Sequence, residues 1–212
     1  MDKFGVSSAT IHRDIAALEE GGAVERVRGG IVFRAGADTR GSATTYGERM
    51  VANRAAKVEI AKKAAALVEE DDILFLDSST TVFELGTLLT RGGFQRLTIV
   101  TNALPVMHLF PEMPTNWALV GLGGNYDPQL NSLLGAATLD ELSRLNITKA
   151  FVSAFGLDAK VATTNHERQS ELLAKVLEVS DKAFLAIDGT KAGRRGLYRF
   201  ASRADFAAIV TD

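Results

Sequence analysis

The sequence predicts an α/β fold, a mostly parallel sheet flanked by helices, behind a small N-terminal unit. Three observations carry that expectation. Short apolar runs alternate with helical patterns over most of the chain, as in a sheet buried on both faces. Polar and glycine residues gather just beyond successive runs, at the rim where such sheets take ligands. A small, aperiodic stretch, 35–44, separates this part from the first 34 residues, as a linker would. The expected division is therefore 1–34, a linker at 35–44, and 45–212.

The first unit is too short to bury a good core unaided. Val6 to Glu20 starts with Ser7, Ser8 and Thr10 and ends at Gly21-Gly22, which marks a capped helix. Ile11, Ile15 and Leu18 share one face, and Ser8, His12 and Arg13 lie opposite. Those short or polar groups suit approach to base edges and phosphates. Ala23 to Phe33 alternates apolar with polar residues around Gly29-Gly30 and carries Arg26 and Arg28, a basic hairpin. Helix and hairpin together have the form of a recognition helix with its wing. Residues 1–34 hold five Lys or Arg and five Asp or Glu, so an interaction arm remains an equal reading.

In the larger unit, Tyr46 to Glu70 reads as one long helix with an alanine-rich stripe. Strands are expected at 73–76, 97–100, 117–121, 150–154, 183–187 and 207–211, and helices at 82–89, 104–110, 139–145 and 167–179. The most telling stretch follows the first strand: Asp77, then Ser78, Ser79, Thr80 and Thr81, then a helix. The first amides of a helix lack partners within it, and its dipole places positive charge there. With four hydroxyls beside them, they make a small anion site of the kind that holds a phosphate ester. A plain capped turn would need only one or two of those hydroxyls. Thr101-Asn102, Gly123-Gly124, Gly156, Asp158 and Asp188 through Lys191 end the later strands on the same rim.

Composition narrows the classes. The net charge is −2, with 46% hydrophobic and 24% charged residues, so nucleic-acid contact requires a local patch. The absence of cysteine excludes disulfides and thiolate metal sites. No cofactor is expected and no metal site, since His108 and His166 are isolated and neither has metal-ligand spacing with another His. No basic leader and no apolar run near the roughly 20 residues of a membrane span occurs, and a cytoplasmic protein is expected.

These residues give the chain a resemblance to the DeoR family of bacterial transcriptional regulators. Val6-Ser7-Ser8-Ala9-Thr10-Ile11-His12-Arg13-Asp14-Ile15, Leu18-Glu19-Glu20-Gly21 and Arg26-Val27-Arg28-Gly29-Gly30 resemble its recognition helix and wing. Glu48-Arg49, Asp77 to Thr81, Val100-Thr101-Asn102, Gly121 to Gly124, Thr163-Thr164 and Asp188-Gly189-Thr190-Lys191 follow in the family's order. The resemblance implies a winged helix-turn-helix, here partial, joined to a sugar-phosphate-binding effector domain with a fold akin to ribose-5-phosphate isomerase. It implies a repressor of sugar metabolism, a homodimer or homotetramer, whose operator binding a phosphorylated sugar controls. By that analogy Ser78, Ser79, Thr80 and Thr81 hold the phosphate, and Asp77, Thr101 and Asn102 face sugar hydroxyls. Gly123 and Gly124 let the backbone approach, and Lys191 supplies a cation. DNA contacts are expected from Ser7, Ser8, Thr10, His12, Arg13, Arg26 and Arg28.

The usual wing has His where this chain has Arg28, and the family runs somewhat beyond the match to Val210-Thr211-Asp212. Members carry a helix and most of a second one ahead of the match to Phe4-Gly5-Val6, so weak operator binding by these 212 residues is expected. Two rival readings follow. One is an effector-binding remnant without DNA binding. The other is a sugar-phosphate isomerase or deaminase using Asp77, Asp158, Glu167 or Asp188 as the base.

Overall fold

The computed structural model describes residues 13, 15, 16, 19, 24–27, 30–33 and 45–212. The chain divides into two compact units, Met1–Ala43 and Thr44–Asp212. In the first, Arg13, Ile15, Ala16 and Glu19 have helical backbone. Strands β1 (Val24–Val27) and β2 (Gly30–Phe33) form an antiparallel pair with Val27 opposite Gly30. The hairpin read from the alternation is therefore present.

The second unit is built on six parallel strands. These are β3 (Ile73–Leu76), β4 (Thr98–Thr101), β5 (Ala118–Gly121), β8 (Ile147–Val152), β11 (Ser180–Ala186) and β13 (Ala208–Val210). Their order across the sheet is β13-β11-β8-β3-β4-β5, every pair parallel. Successive side chains of a strand point to opposite faces, and the core divides accordingly. Leu74 and Leu76 pack with Ile99, Phe151 and Phe184 on one face, while Phe75, Val100, Val152 and Leu185 build the other.

Helices cover both faces. On the Leu74 side lie α2 (Arg54–Ala65) and α3 (Thr80–Leu89), contributing Ile60, Ala61, Ala64, Val82 and Leu85. On the Phe75 side lie α5 (Ala136–Leu142) and α6 (Glu167–Glu178), with Leu142, Leu172, Leu173 and Val176 inward. A short α4 (Leu104–Met107) follows β4.

The expected long helix over 46–70 is broken. It is α1 (Tyr46–Val51) and then α2, separated at Asn53, which takes the left-handed conformation with φ 52°. Asn tolerates that conformation better than most residues. The buried residues of α2 are Lys57, Ile60, Ala61 and Ala64, so Ala61 and Ala64 of the expected stripe face inward while its Ala52 and Ala55 are exposed. Two further features escaped the strand count. The antiparallel pair β6 (Asn125–Asp127) and β7 (Ser132–Leu134) extends the loop after β5. A small sheet, β9 (Gly156–Leu157), β10 (Val161–Thr164) and β12 (Tyr198–Ser202), follows β8.

Candidate functional site: an anion-ready turn at the sheet rim

The turn from β3 into α3 is held open by Asp77. Its Oδ1 accepts the amide of Ser79 at 2.8 Å and its Oδ2 the amide of Ser153 at 2.7 Å. The carboxylate thus fixes its own turn and staples it to the end of β8. Burial raises the Asp77 carboxyl above its usual range, opposed by the Ser79 and Ser153 hydrogen bonds and the Lys191 charge.

Ser79 is the N-cap of α3, its hydroxyl accepting the amide of Val82 at 3.1 Å. The amide of Phe83 reaches the Ser79 carbonyl. No group among the described residues accepts from the amides of Ser78, Thr80 and Thr81. These donors lie at the positive end of a ten-residue helix, the arrangement that receives anions. The buried Thr81 hydroxyl beside them has no partner either.

Lys191 stands over this turn. Its ammonium lies 3.4 Å from the Ser153 hydroxyl and 3.8 Å from Asp188 Oδ2. Burial lowers its pKa, against the pull of Asp188 and Asp77. Asp188 is itself engaged by Thr190, whose amide it accepts at 3.1 Å. At the end of β4, Asn102 is wholly buried. Its amide nitrogen donates to the Leu133 carbonyl at 3.0 Å, and its Oδ1 has no partner among the described residues. Ser132, bridged to Ala103, is equally buried and its hydroxyl equally unpartnered.

Several expected ligand contacts are taken up by the fold. The Thr101 hydroxyl donates to the Leu76 carbonyl at 2.6 Å and accepts the Ala103 amide at 3.0 Å. The Gly123 amide donates to Glu141 Oε2 at 2.9 Å, and its carbonyl accepts from Thr138. Gly124 has φ +144°, and a Cβ there would fall 2.3 Å from Thr138 Oγ1 and 2.9 Å from the Leu134 carbonyl. The close approach at Gly124 is thus made by the protein's own chain. Ser78, Thr80, Thr81, Asn102 and Lys191 keep groups directed to other uses.

Two cations not among the expected ligand contacts, Arg49 and Lys57, also border the turn. The carbonyl of Arg49 accepts from the Thr80 hydroxyl at 3.3 Å, and the Arg49 guanidinium reaches the Gln129 carbonyl at 3.1 Å. That guanidinium also sits 5.6 Å from the Tyr46 ring centroid. Lys57 is 4% exposed and donates to the carbonyls of Arg49 and Ala52. Burial, with Lys191 nearby, lowers its ammonium to about 8. The Glu48-Arg49 match pointed to Arg49. For Lys57 nothing in the pattern did, since a lone lysine in a helical segment, here between Ala56 and Val58, reads as a solvated charge.

Of the expected DNA-contacting residues, Arg13 is exposed on helical backbone and Arg26 lies in β1. Ser7, Ser8, Thr10, His12 and Arg28 lie outside the described residues. Among the described residues no group of His, Asp and Glu is arranged to hold a metal ion. No helix among them is long and apolar enough to cross a membrane.

An α/β domain with an anion-ready turn, preceded by a separate unit of helical backbone and hairpin, defines a two-part sensor protein. Residues 1–35 match the model of the DeoR-like helix-turn-helix domain, and residues 52–212 that of the DeoR C-terminal sensor domain. The chain therefore belongs to the DeoR family of transcriptional regulators. It is 30% identical over 209 residues to the HTH-type transcriptional regulator IolR of Bacillus subtilis, covering 98% of this chain and 80% of that one. To the lactose phosphotransferase system repressor of Staphylococcus aureus it is 31% identical over 215 residues, covering 100% and 83%. To GlpR of Haloferax volcanii it is 30% identical over 212 residues, covering 100% and 80%.

Among solved structures, eIF2B delta from Chaetomium thermophilum superposes with a TM-score of 0.53 at 12% identity, over 78% of this chain. This chain spans 57% of that one, and the likeness is one of fold alone. Ribose 5-phosphate isomerase A from Neisseria gonorrhoeae gives 0.45 at 15% identity, over 73% of this chain and 57% of that one.

Proposed function

We propose that this protein is a repressor of sugar metabolism whose operator binding is controlled by a phosphorylated sugar held at the β3–α3 turn. The observation that carries this reading is the set of amides of Ser78, Thr80 and Thr81 without acceptors among the described residues, with the Lys191 ammonium at Ser153, the residue that Asp77 ties to the same turn. These donors match the oxygens of a phosphate ester, and the cation offsets its charge. Asn102 Oδ1, buried and without a partner among the described residues, is the acceptor this reading assigns to a sugar hydroxyl. Asp77, Ser79, Thr101, Gly123 and Gly124 shape the site instead of touching the ligand. Each hydrogen bond to the charged phosphate contributes roughly 1.5–3 kcal/mol net. A few of them, less the ordering of the ligand, give dissociation constants between about 1 mM and 1 μM.

The reading is of a sensor, not a catalyst. A general base must reach a substrate proton, and both carboxylate oxygens of Asp77 already accept amides. Operator half-sites related by symmetry require at least a dimer, so the working form is a homodimer or homotetramer. The relatives named as repressors support the regulatory half of this reading. The test is calorimetric titration of the full chain with hexose and pentose phosphates, paired with operator retardation in the presence of each ligand that binds. Saturable binding of one sugar phosphate that changes retardation upholds the reading. Turnover of that ligand, or binding of none, defeats it.

A further inference from the structure

Helix α1 is held by groups that belong to the anion turn. It has six residues, none of them buried. Its start is closed by a capping box, with the Thr45 hydroxyl accepting the Glu48 amide at 3.2 Å and Glu48 accepting the Thr45 amide at 2.7 Å. It therefore needs no packing to define its first turn. At its other end, Asn53 in the left-handed conformation separates it from α2. The last carbonyls of a helix lack partners within it and carry its partial negative charge. Here the Arg49 carbonyl accepts from both Lys57 and the Thr80 hydroxyl, and the Ala52 carbonyl accepts from Lys57 at 2.6 Å.

Lys57 is a buried ammonium whose hydrogen bonds go to two neutral carbonyls, with the cations Lys191 and Arg49 and the carboxylates of Asp188 and Glu84 as charged neighbours. Burying a charge is costly unless it is well paired. A phosphate dianion is a stronger partner than two carbonyls, and lysine's flexible stem allows an ammonium to swing between acceptors. Thr80 is the first residue of α3, so its hydroxyl sits on the same turn as the amides the phosphate would take.

We infer that Lys57 and Thr80 have two alternative sets of partners, the carbonyls ending α1 and an anion at the β3–α3 turn, so that effector binding releases α1. This rests on the anion-site reading of the turn. Helix α1 is the first element of the sensor unit, beginning two residues beyond the unit boundary at 43/44. The chain reaches residues 1–43 only through it. A ligand shifts an equilibrium by its differential affinity for two states, and competition for Lys57 supplies that difference at the point where the units are joined.

Hydrogen exchange on the full chain, with and without saturating inorganic phosphate and then sugar phosphates, tests the inference. The amides of Arg49 and Ala52, which donate to the Thr45 and Glu48 carbonyls, report on α1, and those of 78–82 report on the turn. The expected result is slower exchange at 78–82 together with about tenfold faster exchange at 46–52, the scale of one lost charge-assisted bond. Lys57→Met is expected to show fast α1 exchange in both conditions. Protection at 78–82 with α1 unchanged or slowed overturns the inference and leaves the anion site standing. No change at either place overturns both.

Discussion

Asp77 Oδ2 accepts the amide of Ser153 at 2.7 Å, joining the ends of two neighbouring strands directly beneath the proposed phosphate position. The bond explains how an acid fits in a turn proposed to hold an anion. It sits below the donors as a strut, with both oxygens committed.

Asp77→Asn would keep the shape of the side chain but present an NH2 group to one of two amides. A buried donor left facing a donor costs about 1–3 kcal/mol. The expected outcome is a lower Tm by thermal melting, together with weakened sugar-phosphate affinity in the same preparation. A variant as stable as the parent would show that the strut is dispensable.

Lys191→Met removes a half-buried cation whose nearest acid is 3.8 Å away, so little stability is at stake. Loss of one charged hydrogen bond is worth roughly 1.5–3 kcal/mol, about a ten- to hundredfold loss of affinity. Calorimetry reads this directly, with the melting temperature as the control for folding.

Affinity should also depend on pH in a defined direction. A phosphate ester gains its second negative charge near pH 6, so binding strengthens as pH rises to that point. Lys57, lowered to about 8 by burial and Lys191 and opposed by Asp188 and Glu84, loses its proton above that pH. Its pKa rises again beside a bound dianion, so binding takes up a proton and affinity falls as pH climbs past about 8. Arg49 adds to the lowering, and Lys191, itself lowered by burial, reinforces the fall. Titrations from pH 5 to about 9.5 check the profile, and Lys57→Met should flatten its alkaline limb.

The opposite rim of the sheet provides a contrast. Lys149 is buried between Asp72 at 2.9 Å and Glu69 at 2.5 Å. Burial lowers its pKa, but those two carboxylates outweigh the effect and raise it. Lys149→Met leaves the buried Asp72 carboxylate with the Glu69 amide and the Thr148 hydroxyl but no cation, and should cost no more than about 3–5 kcal/mol of stability. Sugar-phosphate affinity at temperatures where the variant remains folded should be unchanged. Denaturant unfolding and calorimetry separate the two effects.

How far the sequence was legible follows from what each segment must satisfy. The inner strands were readable because burial on both faces leaves an unbroken apolar run, as in Leu74-Phe75-Leu76, and the edge strands β5 and β13 because they stay apolar though partly exposed. The turn at Asp77 to Thr81 was readable because helix caps have a narrow residue choice. The β6–β7 pair was not, since Asn125-Tyr126-Asp127 is exposed or half-buried and carries no alternation. The break at Asn53 was hidden inside an otherwise helical composition. Within the site, residue type could not distinguish hydroxyls that serve the fold, such as those of Ser79 and Thr101, from groups left for a ligand. That distinction is made by the partners the fold supplies: Leu76 for the Thr101 hydroxyl, 25 residues away, and for Lys57 the carbonyls of Arg49 and Ala52, across the break at Asn53.

The most direct measurement is an amide nitrogen–proton NMR titration of the full chain with the sugar phosphate that binds tightest. Large, saturating shifts at the amides of Ser78, Thr80 and Thr81, following the calorimetric isotherm, are the predicted result. Saturable binding that leaves those three resonances in place would contradict the account.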